Sequence, residues 1–242
     1  MAFELPTDFP RTLGELLDRQ AAQFPDRPAV SFDGRVTTYA GLRRGADRVA
    51  AALVAAGVTK GTRVGLLMPN RPEWLECAFG VAKTGAWLVG LNTLNRRGEL
   101  AYALRHADVA FVIAVRDFLR SRYDEMFREI CAPVLSDGIA TNVPALRRVV
   151  FHGGEDDQAS SFRAFLAGGE RVGASELEAL QSTILPPDPA AVLFTSGSTA
   201  TPKAAVLSHA ALTYNAWSIA AHLGLTPGDR TWTALPLFFS GG

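Results

Sequence analysis

Apolar residues recur along this chain with two periods, and the alternation between them sets the expected architecture. A spacing of three or four marks a helix, and a short apolar run bounded by turn residues marks a buried strand. Thr12-Leu-Gly-Glu15 has the form of a capping box, followed by Leu16, Leu17, Ala21 and Ala22 before Pro25 ends the helix. Residues 28–32 and 36–39, joined by Asp33-Gly34, read as a tight hairpin. A helix over about 40–56 puts Leu42, Ala46, Val49 and Leu53 on one face, with Gly57 closing it. Arg43, Arg44, Asp47 and Arg48 form its wet face.

From Arg63 strands and helices alternate. Strands are expected at 64–68, 86–90, 109–115 and 149–151. Helices are expected at 72–83, with Trp74, Ala78, Val81 and Ala82 inward, at 99–106 and at 117–130. Cys77 reads as packing within the first of these. Such alternation predicts an α/β fold with doubly wound parallel sheets and flanking helices. Residues 153–173 read as a surface excursion, and Glu155, Asp156 and Asp157 as a solvated acidic loop rather than a cation site. Runs at 190–194 and 204–207 are two further strands. Ser208 or His209 opens an amphipathic helix that Gly224 closes, and 231–235 is a last strand. An end directly after that strand leaves little to pack on, so the chain reads as truncated. The expectation is an incomplete second sheet and bare apolar surface near 232–239.

Bulk properties narrow the partners. The 242 residues suffice for one large domain or two modest ones, and 48% hydrophobic with 20% charged residues fits a globular chain. Lys plus Arg equal Asp plus Glu at 24 each, so no charge excess points to nucleic acid or an anionic membrane. Two cysteines, Cys77 and Cys131, form neither a disulfide framework nor a metal-ligand spacing. There is no signal-peptide pattern and no apolar run of membrane-spanning length, which reads as cytoplasmic. The oligomeric state is left open, a homo-oligomer included.

The chemistry concentrates in Thr195-Ser196-Gly197-Ser198-Thr199-Ala200-Thr201-Pro202-Lys203. Five hydroxyl side chains, a glycine and a lysine lie between two apolar runs. A loop of this kind can turn backbone N–H groups and hydroxyls toward one anion, and a lysine adds a mobile charge suited to phosphate. The plain alternative is a solvated Ser/Thr linker; the position at a strand end, where ligands collect in α/β sheets, argues for a phosphate cradle. A Walker loop does not fit. Pro202 occupies the second glycine position, Ala204 follows the lysine, and a strand rather than a helix comes next.

The loop resembles the signature of the adenylate-forming superfamily, which includes acyl-CoA ligases and firefly luciferase: aromatic-Thr-Ser-Gly-Ser/Thr-Thr-Gly-any-Pro-Lys-Gly. Phe194 to Lys203 match it except at Ala200, and Ala204 replaces the glycine after the lysine. A Cβ in a left-handed conformation costs roughly 1–2 kcal/mol, so Ala200 strains the loop if positive φ is required there. Residues 82–92 resemble a second core motif of the family. Asn92 and the residues after it resemble the acyl-CoA ligase branch more than the peptide-synthetase adenylation domains. Residues 236–242 resemble its Pro-Leu-Phe-His-x-x-Gly segment, with Phe239 in place of the histidine.

The resemblance implies the N-terminal part of an acid–CoA ligase that uses ATP, Mg²⁺ and coenzyme A on a fatty or aromatic carboxylic acid. It implies that Thr195, Ser196, Gly197, Ser198, Thr199 and Lys203 bind ATP, with Lys203 and Thr199 in catalytic roles. It also implies that Phe238, Phe239 and Gly241 border the acid. Residues 1–60 then pack with a second sheet, 61–204 form a doubly wound subdomain ending in the loop, and 205–242 begin the second subdomain. The family's magnesium-holding glutamate, ribose-binding aspartate and lid lysine fall beyond residue 242, so this chain alone is expected to be inactive and no metal ligand is assigned. His209, at a helix start, reads as structural rather than as a base. The competing functions are a non-catalytic acid- or nucleotide-binding homologue and a fragment with no ligand.

Overall fold

The computed structural model describes residues 5–131, 143–153, 161–195 and 202–239. Helix α1 (Leu13–Gln23) starts at the capping box: the Thr12 hydroxyl accepts from the Glu15 amide at 3.2 Å and the Glu15 carboxylate accepts from the Thr12 amide at 3.0 Å. Strands β1 (Pro28–Phe32) and β2 (Arg35–Thr38) form the hairpin, with Asp33 and Gly34 both at positive φ, the pairing that suits the twist of flanking strands. Helix α2 (Tyr39–Ala55) follows directly, capped by Thr38.

The central unit comprises β3 (Arg63–Leu67), α3 (Pro72–Lys83), β4 (Trp87–Gly90), α4 (Arg97–His106) and β5 (Phe111–Val115). A small hairpin of β6 (Asp117–Phe118) and β7 (Ser121–Arg122) leads into α5 (Tyr123–Ile130). Then come β8 (Arg148–His152), α6 (Phe162–Gly168), a 3₁₀ turn at 169–171, α7 (Ala174–Ser182), β9 (Pro189–Thr195), β10 (Lys203–Ser208) and α8 (His209–His222). The main sheet runs β10-β9-β4-β3-β5-β8, every neighbouring pair parallel except β9 with β10.

Right-handed crossovers explain which face each helix takes. From β3 to β4 the chain steps one way; from β4 to β5 and on to β8 it steps back, so α4 and α5 belong on the face opposite α3. The return from β8 to β9 brings α6 and α7 to the α3 face. The contacts agree: α4 packs on α5, whereas α1, α2, α3, α6 and α7 pack among themselves. The parallel strands are continuously apolar because both faces are covered, and Val64, Leu66, Leu67, Val89, Val112, Ile113 and Ala114 are fully buried. Helices α2 and α3 approach closely at Gly80, where a Cβ would stand 2.7 Å from that of Val49.

Three expectations are corrected. The helix expected over 117–130 begins only at Tyr123, because Tyr123, Phe127 and Ile130 share the buried face. Phe118, five residues before Tyr123, would point elsewhere on a continued helix; Leu119 at φ 56° turns the chain back instead. The surface excursion contains α6, whose Phe162 and Phe165 are buried beneath a Ser161 cap and packed toward α2. Its short apolar set at i and i+3 was masked by the glycines around it. Residues 231–235 form no strand: Trp232 is 88% exposed and has no partner strand among the described residues. Trp232, Leu235 and Phe239 are the bare apolar surface expected there, while Phe238 is buried.

Two buried polar groups tie the helices together. Lys83, its side chain 6% exposed, places Nζ 2.6 Å from both Asp18 of α1 and Asp47 of α2, and Gln181 of α7 donates to the other Asp18 oxygen. Its removal would leave two partly buried carboxylates with only the half-exposed Arg43 guanidinium, at 3.6 and 3.4 Å, to compensate them. Lys83→Met is therefore expected to cost about 3 kcal/mol, since the aspartates retain some solvent, read as a lower midpoint in chemical unfolding of the intact protein.

His209 is completely buried; its Nδ1 accepts from the Leu13 amide at 3.3 Å, and its own amide donates to the Asp188 carbonyl. It fastens α8 to the start of α1, a structural role. Burial holds its pKa below the ordinary 6.5, with Lys60 acting in the same direction against Asp188 and Glu15. His152 is lowered by burial and by Arg71, against Glu73. The unfolded chain takes these protons first, so their contribution is complete above about pH 6.5 and drains away as pH falls below it. The melting temperature at pH 5.5 should lie below that at 7.5, and His209→Asn, which keeps an acceptor near Nδ1, should flatten that slope.

Candidate functional site

The Ser/Thr loop is the tip of the β9–β10 hairpin. Seven residues separate the two strands, too few for a parallel crossover, so β10 runs antiparallel on the sheet edge. The register sets Thr195 opposite Lys203 and Phe194 opposite Ala204. Both ends of the loop are thereby fixed, and the Thr195 hydroxyl reaches the Lys203 carbonyl at 3.4 Å. Lys203 is exposed and makes no ion pair among the described residues. Ala204 is an ordinary ladder residue: its φ is not positive, so the missing glycine costs no strain there. Ser196, Gly197, Ser198, Thr199 and Ala200 lie outside the described residues, as does Gly241.

Helix α4 braces this hairpin. The Tyr102 hydroxyl donates to the Pro202 carbonyl at 3.1 Å, directly beside Lys203. His106 stacks on Tyr102, with centroids 5.1 Å apart and planes within 15°, and lies 6.3 Å from the Phe194 ring. The connection from β4 to α4 is held from α5: the Tyr123 hydroxyl donates to the Thr93 carbonyl at 2.6 Å. Burial pushes the Tyr123 pKa up to about 12, so it stays a donor across the working pH range. Asn92 folds the next turn by accepting from the Leu94 amide at 2.8 Å.

Between these parts lies a cavity of about 480 Å³, lined by Asn92, Asn95, Glu99, Tyr102, Phe194, Thr195, Pro202 and Phe239 among others. It opens at the carboxyl ends of β4 and β9, the place where α/β sheets collect ligands. Aromatic rings make its walls, with two amides, a carboxylate and a hydroxyl as polar points. Phe239 borders it from the turn at 235–239, in which the Phe239 amide donates to the Pro236 carbonyl at 3.0 Å. Phe238 is buried beneath that turn, and its ring lies 4.6 Å from that of Phe239.

The structure thus brings Thr195, Lys203, Phe238 and Phe239 into one neighbourhood. It adds Tyr102 and Asn70, which sequence reasoning passed over, and gives places to Gly90 and Asn95, which that reasoning covers only within motif-like stretches. Tyr102 lies between helical residues and signals nothing by spacing; its bond to Pro202 joins positions 100 apart. Among the described residues no group of three or more His, Cys, Asp and Glu could hold a metal, and no helix is long and apolar enough to cross a membrane. Cys77 and Cys131 are free, and burial raises both thiols above their ordinary pKa.

Known proteins are similar to this chain in sequence and fold. A zebrafish mitochondrial medium-chain acyl-CoA ligase, ACSF2, is 30% identical over 232 residues, covering 93% of this chain and 38% of the relative. The acyl-CoA ligase sidI of Aspergillus fumigatus is 32% identical over 229 residues, covering 94% and 38%. The solved anthranilate CoA ligase AuaEII, in complex with anthranoyl-AMP, superposes with a TM-score of 0.73 at 25% identity, covering 97% of this chain and 42% of that one. The fold also matches a long-chain-fatty-acid-CoA ligase of Archaeoglobus fulgidus, at a TM-score of 0.76 and 22% identity over 99% and 45%. The chain spans less than half the length of these relatives. The model of the AMP-binding enzyme family matches residues 17–242, and the chain belongs to that family of adenylate-forming enzymes.

Proposed function

We propose that this chain supplies the phosphate-gripping part of an ATP-dependent acid–CoA ligase. The observation that supports it most is the β9–β10 ladder, which plants Thr195 and Lys203 opposite each other beside an aromatic cavity at the sheet's carboxyl edge. In this reading the ionised acid attacks the α-phosphorus of ATP, the bond to pyrophosphate breaks, and the acyl-adenylate is then captured by the thiol of coenzyme A with release of AMP. No base is needed, because a carboxylate is already ionised near neutral pH. Catalysis rests on position and on neutralising charge at the departing oxygens.

Each part has a task. Thr195, Ser196, Ser198 and Thr199, with the Gly197 backbone, hold the β- and γ-phosphates. Lys203 offsets charge on the leaving pyrophosphate, and an exposed lysine with no ion pair among the described residues is suited to that. Phe239 and Gly241 border the acid, with Phe238 backing that wall. Magnesium enters with ATP. The relaxed strand geometry of Ala204 favours a working ligase over a binding-only homologue. The second subdomain, expected from 205, opens only with α8, because β10 through Ser208 pairs with β9 in the main sheet. Fatty and aryl acids both suit an aromatic-walled cavity, and the relatives' names span both classes.

Pyrophosphate exchange on the intact protein tests the reading. Exchange should require an acid, and Lys203→Ala should lower it by about 100-fold, the order seen when one charge-stabilising donor is lost. Exchange absent with every acid of a combined aliphatic and aryl panel would refute the assignment.

A further inference from the structure

The turn at 235–239 contributes Phe239 to the cavity lining, yet among the described residues it belongs to no sheet and no helix. Two residues at the carboxyl edge of the sheet hold it, one past the end of β3 and one at the end of β4. Asn70, three positions past the end of β3, uses both halves of its amide: Nδ2 donates to the Leu235 carbonyl at 2.8 Å, and Oδ1 accepts from the Leu237 amide at 2.8 Å. The side chain thus pairs with the backbone on either side of Pro236, as a neighbouring strand would. Only one orientation of the amide makes both bonds.

The second residue is Gly90, the last of β4. A Cβ there would stand 2.8 Å from the Phe238 carbonyl oxygen and 3.3 Å from its Cα. The turn therefore rests on bare backbone, and Phe238 is 3% exposed as a result. With Phe238 anchored inward, the adjacent Phe239 is presented to the cavity.

We propose that Asn70 and Gly90 form a seat that sets where the 235–239 turn stands, making Asn70 a positioning residue for the wall that contacts the acid. This deepens the ligase reading and rests on it. Asn70 touches no reacting atom; it acts through the backbone of Leu235 and Leu237 on the placement of Phe239.

Steady-state kinetics and amide exchange on the intact protein test the seat. Asn70→Ala should raise KM for the acid about tenfold, the order expected of one to two lost hydrogen bonds, with kcat and KM for ATP within about twofold of wild type. The Leu237 amide should exchange faster while the melting temperature holds. Asn70→Asp keeps the acceptor for Leu237 but not the donor to Leu235, so it should give an intermediate rise and leave Leu237 slow. Gly90→Ala should shift the preferred size of the acid, because the added methyl lifts Phe238 off β4.

If Asn70→Ala does not fold, the other two variants carry the same test. Acid KM unchanged in all three would overturn the proposal. So would KM for acid and ATP rising together with a lower melting temperature, which marks general loosening. Wild-type protein inactive on every acid would instead refute the ligase reading. The seat would then be decided by exchange alone: faster at Leu237 in Asn70→Ala sustains it, unchanged refutes it.

Discussion

The antiparallel join of β9 to β10 is the constraint on which the site depends. Five parallel strands deliver their carboxyl ends to one edge, but parallel strands cannot be closed by a short loop. Reversing the last strand lets seven residues bridge the edge, and the ladder then holds both ends of that bridge against a buried sheet. A flexible loop pays ordering entropy whenever it grips a ligand. Here Thr195 and Lys203 are already held by the backbone pairing of the ladder.

Around the hairpin, elements distant in sequence meet at a few polar contacts rather than through broad packing. Tyr102 reaches Pro202 from α4, Tyr123 reaches Thr93 from α5, and Asn70 reaches Leu235 and Leu237 from the turn after β3. Each is a side chain satisfying a backbone group that no ladder or helix satisfies, which is how irregular segments near a core are held in place. On the opposite face the same economy recurs at Lys83, where one ammonium group joins two helices to a third. The site is thus framed by a rigid sheet and finished by a small number of directional bonds.

Much of this was legible in the sequence because the relevant physics is local. A capping box, a tight-turn dipeptide and a helical stripe depend on neighbours within a few residues, and α1, β1–β2, α2, α3 and α4 fall within about two residues of expectation. The family signature at 194–203 was also legible, since its hydroxyls, proline and lysine are contiguous. Misreadings arose where periodicity alone could not decide. Phe118 extends an apolar pattern but cannot share a face with Tyr123, and residues 231–235 alternate like a strand while lacking any partner.

The order of residues by itself determined the class of fold, the position of the hydroxyl-rich loop and the family likeness, because each is written in short-range pattern and composition. Tertiary structure decided that β10 joins the main sheet in reverse, that His209 is a buried fastener, that Ala204 is unstrained, and that Asn70 and Gly90 carry the turn beside the cavity. Those depend on contacts between residues as many as 196 positions apart. No local pattern encodes such contacts, since they exist only once the right-handed crossovers have brought the strand ends together.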